Sequence, residues 1–419
     1  MALPALRHAD FRNYVFGSLI SNTGTSTQSA AIMWHIYHLT GSPLAVGLQG
    51  LIRVLPLIFF TLYGGVLADQ ADRRKIMLIT QSAMAIVALL AFLITVTGNA
   101  TVLLLYLVVA LQTVARAFDG PARQSMFVTL VPARDFPNAA SIHGISWRVS
   151  DILGPLIFGL VLMLNGGFIN RGLSICYALN FLSFFAVIFA VWILPACLPS
   201  STSEKARSIS EVFGKIVEGW MFVARTPVVC SAMWIDFWAT FFSGADALIP
   251  AVAQTILKVG PFGFGLLMSA SGIGALIAAT ALSLLPTIHR QGRTVVMMIG
   301  LYGFFTILFG LSNNLWVAAV CLACVGASDM ISTVLRQTIR QLATPDELRG
   351  RMNATSSLFH ISGPQLGDFE AGFVGQIWGV RQSIILGGGL CMFVAAHWSR
   401  AKQLVGYVHS EDQAETVIS

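Results

Sequence analysis

Charge is what this chain has least of. Only 11% of its 419 residues are Asp, Glu, Lys or Arg, where soluble domains carry about 25%. Hydrophobic residues make up 56% and the mean hydropathy is +0.75. That balance excludes an ordinary soluble enzyme. No glycine-rich loop leads into Lys and Ser/Thr, so ATP-driven work by this chain is not expected. No His-x-x-x-His pair lies in an apolar run, His35 and His38 being wrongly spaced, and no nucleophile stands beside a base. An intramembrane hydrolase or a metal centre is therefore not expected, nor any cofactor. The six cysteines are scattered apart from Cys321 and Cys324, which lie in an apolar run and read as packing residues. The net charge of +6 is spread along the chain rather than gathered on one aromatic-lined face. Nucleic acid is excluded as a partner.

What the sequence has in quantity is long apolar runs. A membrane span needs roughly 20 apolar residues, and runs of that length read as twelve spans. They cover Phe11–Tyr37, Pro43–Ala68, Lys75–Thr97, Val102–Leu130, Pro137–Leu164 and Leu173–Leu194, then Val228–Leu257, Phe262–Leu285, Thr294–Leu311, Leu315–Leu342, Arg351–Trp378 and Gln382–Trp398. The first span reads as retained rather than as a cleaved signal. Most Lys and Arg fall on one set of connections. Arg171, Lys258 and Arg381 fall on the other, and Arg53, Arg116 and Arg148 within spans. The positive-inside rule then puts both termini in the cytoplasm. The expected fold is all-α integral membrane protein, twelve transmembrane helices as two six-helix bundles. Its parts are 1–194 and 228–398, joined by a cytoplasmic connector over 195–227 with an amphipathic helix, followed by a tail over 399–419 expected to be mobile.

An internal repeat supports that division. Gly41-Ser-Pro-Leu-Ala-Val-Gly47-Leu48 echoes Gly260-Pro-Phe-Gly-Phe-Gly265-Leu266, and each precedes an apolar span and then a basic loop. Arg123-Gln124, Gly154 and Gly159 recur at one constant offset as Arg336-Gln337, Gly367 and Gly372.

The stretch from Gly64 to Lys75 is a short charged turn between two apolar runs. Its plain reading is a positive-inside loop, with glycines that let helices approach closely. Its pattern Gly65-x-x-x-Asp69-x-x-x-Arg73-Arg74 resembles the signature loop between the second and third helices of the major facilitator superfamily. Gln70 and Asp72 stand where many members have Arg and Gly. The resemblance implies a conformational latch made by Gly65, Asp69, Asp72, Arg73 and Arg74. The run Arg148-x-x-Asp151-x-x-Gly154-Pro155-x-x-x-Gly159 is similar to the helix-bending motif of proton-driven exporters, one residue longer after the proline. The stretch from Ser125 to Gly159, with Thr40-Gly41-Ser42-Pro43 and Pro121-Ala122-Arg123, resembles the enterobactin-exporter branch, the transmembrane secretion effectors. That branch implies siderophores, macrolides or related metabolites as substrates.

Polar residues inside spans are costly and usually face a bundle interior or a watery cavity. Arg116, Asp119 and Arg123 share one helix face, as do Arg148 and Asp151. A short loop joins their spans, predicting antiparallel neighbours with a charge cluster between them, functional or purely structural. Asn22, Thr25 and Gln28 in the first span, with Arg53, Trp238, Asp329 and His360, are candidate cavity residues. Small polar residues also mediate plain helix packing, and membrane tryptophans often anchor at the interface. A carboxylate kept from water is a candidate proton carrier. Asp151, Asp236, Asp246 and Asp368 qualify, with Asp236 and Asp246 preferred because their own span carries no cation. The function expected is proton-coupled export of an amphipathic small molecule from the bacterial inner membrane by a monomer that draws on the proton gradient. The alternative is a proton-coupled nutrient importer.

Overall fold

The computed structural model describes residues 4–166, 168–195, 209–286 and 288–407. Each run read as a span is occupied by helix. The helices are α1 (Ala9–Thr40), α2 (Pro43–Gln70), α3 (Arg73–Val96), α4 (Val102–Phe127), α5 (Phe136–Leu164), α6 (Ile169–Trp192), α7 (Ile209–Arg225), α8 (Pro227–Ser243), α9 (Gly260–Leu284), α10 (Gln291–Leu311), α11 (Leu315–Leu342), α12 (Asp346–Trp378) and α13 (Val380–Trp398). Among the described residues ten are long and apolar enough to cross a membrane. α1 and α12 do not count among the ten despite having 32 and 33 residues. Their length suffices at about 1.5 Å per residue; both carry too many polar side chains.

Local signals end these helices where the sequence says they should. Gly41 closes α1 in the left-handed region (φ 61°), donating its N–H to Tyr37 O, and Pro43 then opens α2. Asp72 caps α3 by accepting from Arg74 N at 3.0 Å, and Asn314 caps α11 by accepting from Trp316 N at 2.8 Å.

The chain forms two compact units: Met1–Gly41, Leu51–Val212 and Lys258–Ser269 in one, Ser42–Gly50, Phe213–Leu257 and Ala270–Ser419 in the other. Within the first, α1 lies on α6 and α5, and α3 lies on α6 and α4. Within the second, α8 lies on α13 and α12, and α10 lies on α13 and α11. One packing plan is thus used twice, as a sequence repeat requires. Without a hydrophobic drive between helices in lipid, close backbone approach does much of the packing. A Cβ added to Gly24 of α1 would meet Ser183 Oγ of α6 at 2.2 Å, and one on Gly303 of α10 would meet Gly388 O of α13 at 2.6 Å. The echoed segments play matching parts: Gly265 sits against Gly159 in the first unit, and Gly47 against Gly372 in the second.

Three expectations are corrected. The run 228–257 is not one helix: α8 stops at Ser243, and a 3-10 turn over Asp246–Leu248 and a π turn over Val252–Ile256 follow. Gly244 is pressed against Gly367 of α12, and Pro250 cannot continue the ladder. As far as residue 407 the tail stays on the body, and the expectation for 408–419 lies outside the described residues. Leu404 is fully buried, and Gly292 lies against its carbonyl and donates its N–H to Tyr407 O. An apolar residue in a polar tail found a glycine-floored seat. Finally, α4 and α5 do not pack along one another, despite their short connection; α4 takes α3 as its neighbour and α5 takes α1. The amphipathic connector helix is present as α7. Its Gly219 rests on Arg351 O, its Glu218 pairs with Arg351 at 2.7 Å, and its Trp220 stacks on Phe359.

Candidate functional site

Because α4 and α5 part, a cavity of about 330 Å³ opens in the first unit. α4 supplies Arg116, Asp119, Gly120, Arg123 and Gln124; α5 supplies His143 and Trp147. α1 adds Ser21, Asn22 and Thr25, α3 adds Gln81 and Met84, and α6 adds Phe184. The helical spacing that placed Arg116, Asp119 and Arg123 on one face brings all three to this wall. Asp119 is fully engaged: its Oδ1 accepts from Thr80 Oγ1 and Gln81 Nε2, both at 2.9 Å, and its Oδ2 accepts from Arg123 Nε at 3.0 Å. A buried ion pair holds only when its remaining lone pairs are satisfied, and this one is. Arg123 Nη1, by contrast, is buried with no acceptor among the described residues. Arg116 lies over the Trp147 ring, 6.0 Å from guanidinium carbon to ring centre.

The second unit carries a different ionic arrangement. Asp236 of α8 and Arg336 of α11 are both almost fully buried, and Arg336 Nη2 reaches Asp236 Oδ1 at 2.7 Å. His360 Nδ1 of α12, whose side chain is half exposed, lies 3.4 Å from Asp236 Oδ2. Asp329, also partly exposed, stands 3.8 Å from Arg336, and Thr333 receives a bond from Arg336 Nη2 at 2.9 Å. Three helices therefore converge on one carboxylate. Asp236 has no cation on its own helix, but α11 brings one to it. Around the pair, α8 presents a run of touching rings: Trp234 stacks on Trp238, and Trp238 stacks on Phe242, with centres 6.0 and 5.5 Å apart.

The remaining predicted positions scatter. Gln28 does not reach the cavity; it is buried against α6, accepting from Asn180 Nδ2 at 2.7 Å. Arg148 and Asp151 are half-buried on α5 and do not line the cavity. Arg53 is half-buried on α2. Asp246 is an exposed residue of the otherwise buried turn after α8, and Asp368 Oδ1 accepts from Ala247 N of that same turn at 3.2 Å. Asp368 thereby caps a broken helix, a structural task. Gly154 provides close approach rather than a free bend: its carbonyl accepts from Thr27 Oγ1 at 3.1 Å, and an added Cβ would strike Ser26. Pro155 stands inside an α5 that runs unbroken around it, and its carbonyl and Gly159 face Gly265. In the loop, Gly64 rather than Gly65 makes the close contact: its Cβ would fall 2.5 Å from Ala117 O, and among the described residues nothing faces Gly65. Arg74 donates through Nε to Val191 O at 3.2 Å and through Nη2 to Trp192 O, the last turn of α6. Arg73 is half-buried, and the side chain of Asp69 lies outside the described residues.

Sequence reasoning missed Trp147, His143 and Gln81, which carry no local signal. It also missed the pairing of Arg336, for which a signal existed: the repeat aligns it with Arg123, already singled out.

Over residues 1–416 the chain matches the family described as transmembrane secretion effector. It is similar to the enterobactin exporter EntS of Escherichia coli O139:H28 and of Escherichia fergusonii, each 25% identical over 372 residues, which is 88% of this chain and 86% of the relative. In fold it is similar to a bacterial homologue of the human lysosomal transporter Spinster, with a TM-score of 0.72 at 13% identity, covering 96% of this chain and 99% of the other. A peptide transporter of the POT type has a TM-score of 0.73 at 11% identity, covering 95% of both chains. A bacterial homologue of the iron transporter ferroportin has a TM-score of 0.69 at 15% identity, covering 94% and 99%.

Proposed function

Since the chain belongs to the transmembrane secretion effector family of major facilitator transporters, multi-pass membrane carriers rather than enzymes, we propose that it exports an amphipathic small molecule from the bacterial cytoplasm in exchange for protons. The protein is a monomer of twelve spans in the inner membrane, with both termini in the cytoplasm, and it works by alternating access. The enterobactin exporters that it resembles over most of its length favour export over import, and siderophores or kindred metabolites as cargo.

One observation carries the coupling: Asp236 is held between α8 and α11 by Arg336 at 2.7 Å, with half-exposed His360 beside its other oxygen. A proton and Arg336 compete for the same carboxylate. When Asp236 takes a proton, the ionic tie between the helices is lost, and Arg336 turns to Asp329, its neighbour on α11 at 3.8 Å. When the proton leaves, the tie re-forms. Arg340, one turn further along α11, holds a positive field around the pair, and among the described residues its Nη1 has no acceptor. A carrier whose two conformations differ in this tie couples proton movement to the change of access.

The first test compares small molecules in medium and cytoplasm with and without the gene, under iron starvation and in rich medium. Export predicts one compound lost from the medium and accumulated inside; uptake of a nutrient that disappears with the gene would reverse the direction. The second test uses that compound in inside-out vesicles. Adding it should dissipate an imposed pH gradient, and Asp236→Asn should lose this while retaining exchange of labelled for unlabelled compound. Intact proton coupling in that variant would remove Asp236 from the role.

A further inference from the structure

Among the residues that line it, the cavity of the first unit carries more positive than negative charge. Its wall holds two cations, Arg116 and Arg123, and one carboxylate, Asp119. Asp119 is spent on Arg123, Thr80 and Gln81. Among the described residues no carboxylate comes within ion-pair distance of Arg116. A cation within a membrane span is expensive unless something pairs with it. Arg123 stands on the same wall, its side chain almost fully buried and its Nε given to Asp119 at 3.0 Å. Arg116 and Arg123 stand seven residues apart, two helical turns on one face. Of the two, Arg116 is the exposed one.

The rest of the wall selects for shape. Trp147 presents its ring beside Arg116 and is 38% exposed, and Met84 and Phe184 are the other apolar lining groups. A flat apolar body can lie against Trp147 while an anionic end meets the Arg116 guanidinium, a group that favours planar oxyanions through paired N–H donors. The volume of about 330 Å³ lies at the small end of ligand pockets. It suits one or two rings rather than a whole large metabolite.

We infer that this cavity is a binding subsite for a planar aromatic monoanion, an aromatic carboxylate or a ring of like charge and shape, its anionic group at Arg116 and its ring against Trp147. The inference rests on the export reading only in treating that group as part of the cargo.

The test is direct binding of 1-naphthoate and of its neutral isostere 1-naphthamide to the purified full-length protein, by equilibrium dialysis. Naphthoate should bind about tenfold more tightly than the amide, the usual worth of one charge-assisted contact. Arg116→Gln should reduce that preference below about threefold, and Arg116→Lys should restore part of it. Trp147→Leu should weaken both ligands together and leave their ratio unchanged. Thermal unfolding of each variant separates loss of the subsite from loss of the fold. Equal binding of acid and amide, or an unaltered preference in a folded Arg116→Gln protein, overturns the proposal. The two readings fail separately. Charge-selective binding without any effect of the gene on exported compounds would sink the export reading and leave the subsite. Export with charge-blind binding would do the opposite.

Discussion

The two units place an arginine at the same point of the repeat and give it different company. Arg123 in the first unit pairs with Asp119, one turn away on its own helix, and two donors from α3 complete that carboxylate. Arg336 in the second pairs with Asp236 from another helix, and a half-exposed histidine and a partly exposed aspartate stand at its edge. A pair within one helix keeps its distance whatever the helix does. A pair between two helices survives only while they hold their register. The first is thus a fixture of one helix, and the second is the contact that the proposed coupling would open.

Breaking the fixture should have the largest effect. Asp119→Ala leaves Arg123 buried without an acid and strips Thr80 and Gln81 of their acceptor, which should cost about 3–5 kcal/mol. Thermal unfolding in detergent reads this as a marked fall in midpoint, and wild-type stability would show that the pair is no fixture. Asp236→Asn should cost less, about 1–3 kcal/mol, because an amide oxygen can face Arg336 and Asp329 stays at hand as its acid. Its effect on proton-driven transport should far exceed its effect on stability. A loss as great as that of Asp119→Ala would erase the distinction between the two pairs. Smallest is the loop comparison. Gly65→Ala should be neutral or stabilising by up to about 1 kcal/mol, since alanine favours helix and nothing faces the position. Gly64→Ala should destabilise, because its Cβ has Ala117 O in the way. If Gly65→Ala unfolds as readily as Gly64→Ala, the close approach has been assigned to the wrong glycine.

Much of the candidate site was legible because helical spacing is a local rule. Arg116, Asp119 and Arg123 could be put on one face without knowing what that face met. What met it could not be read. A short loop from α4 to α5 argued for packed neighbours, and the cavity exists because those helices diverge and take α3 and α1 instead. Gln28 was a cavity candidate beside Asn22 and Thr25, and it is buried against Asn180 of α6 instead. Periodicity names a face but not the partner on the other side.

Composition, the length of the apolar runs and the repeat determined by themselves that this is a helical membrane protein built on one plan used twice, because hydrocarbon leaves a chain so poor in charge few other solutions. The caps at Gly41, Asp72 and Asn314 were likewise fixed by residues a few positions apart. Only the tertiary structure decided which charges meet. Asp236 with Arg336, the seat of Leu404, the break after Ser243 and Arg116 over Trp147 all depend on contacts between segments far apart in the chain, and no local spacing encodes those distances.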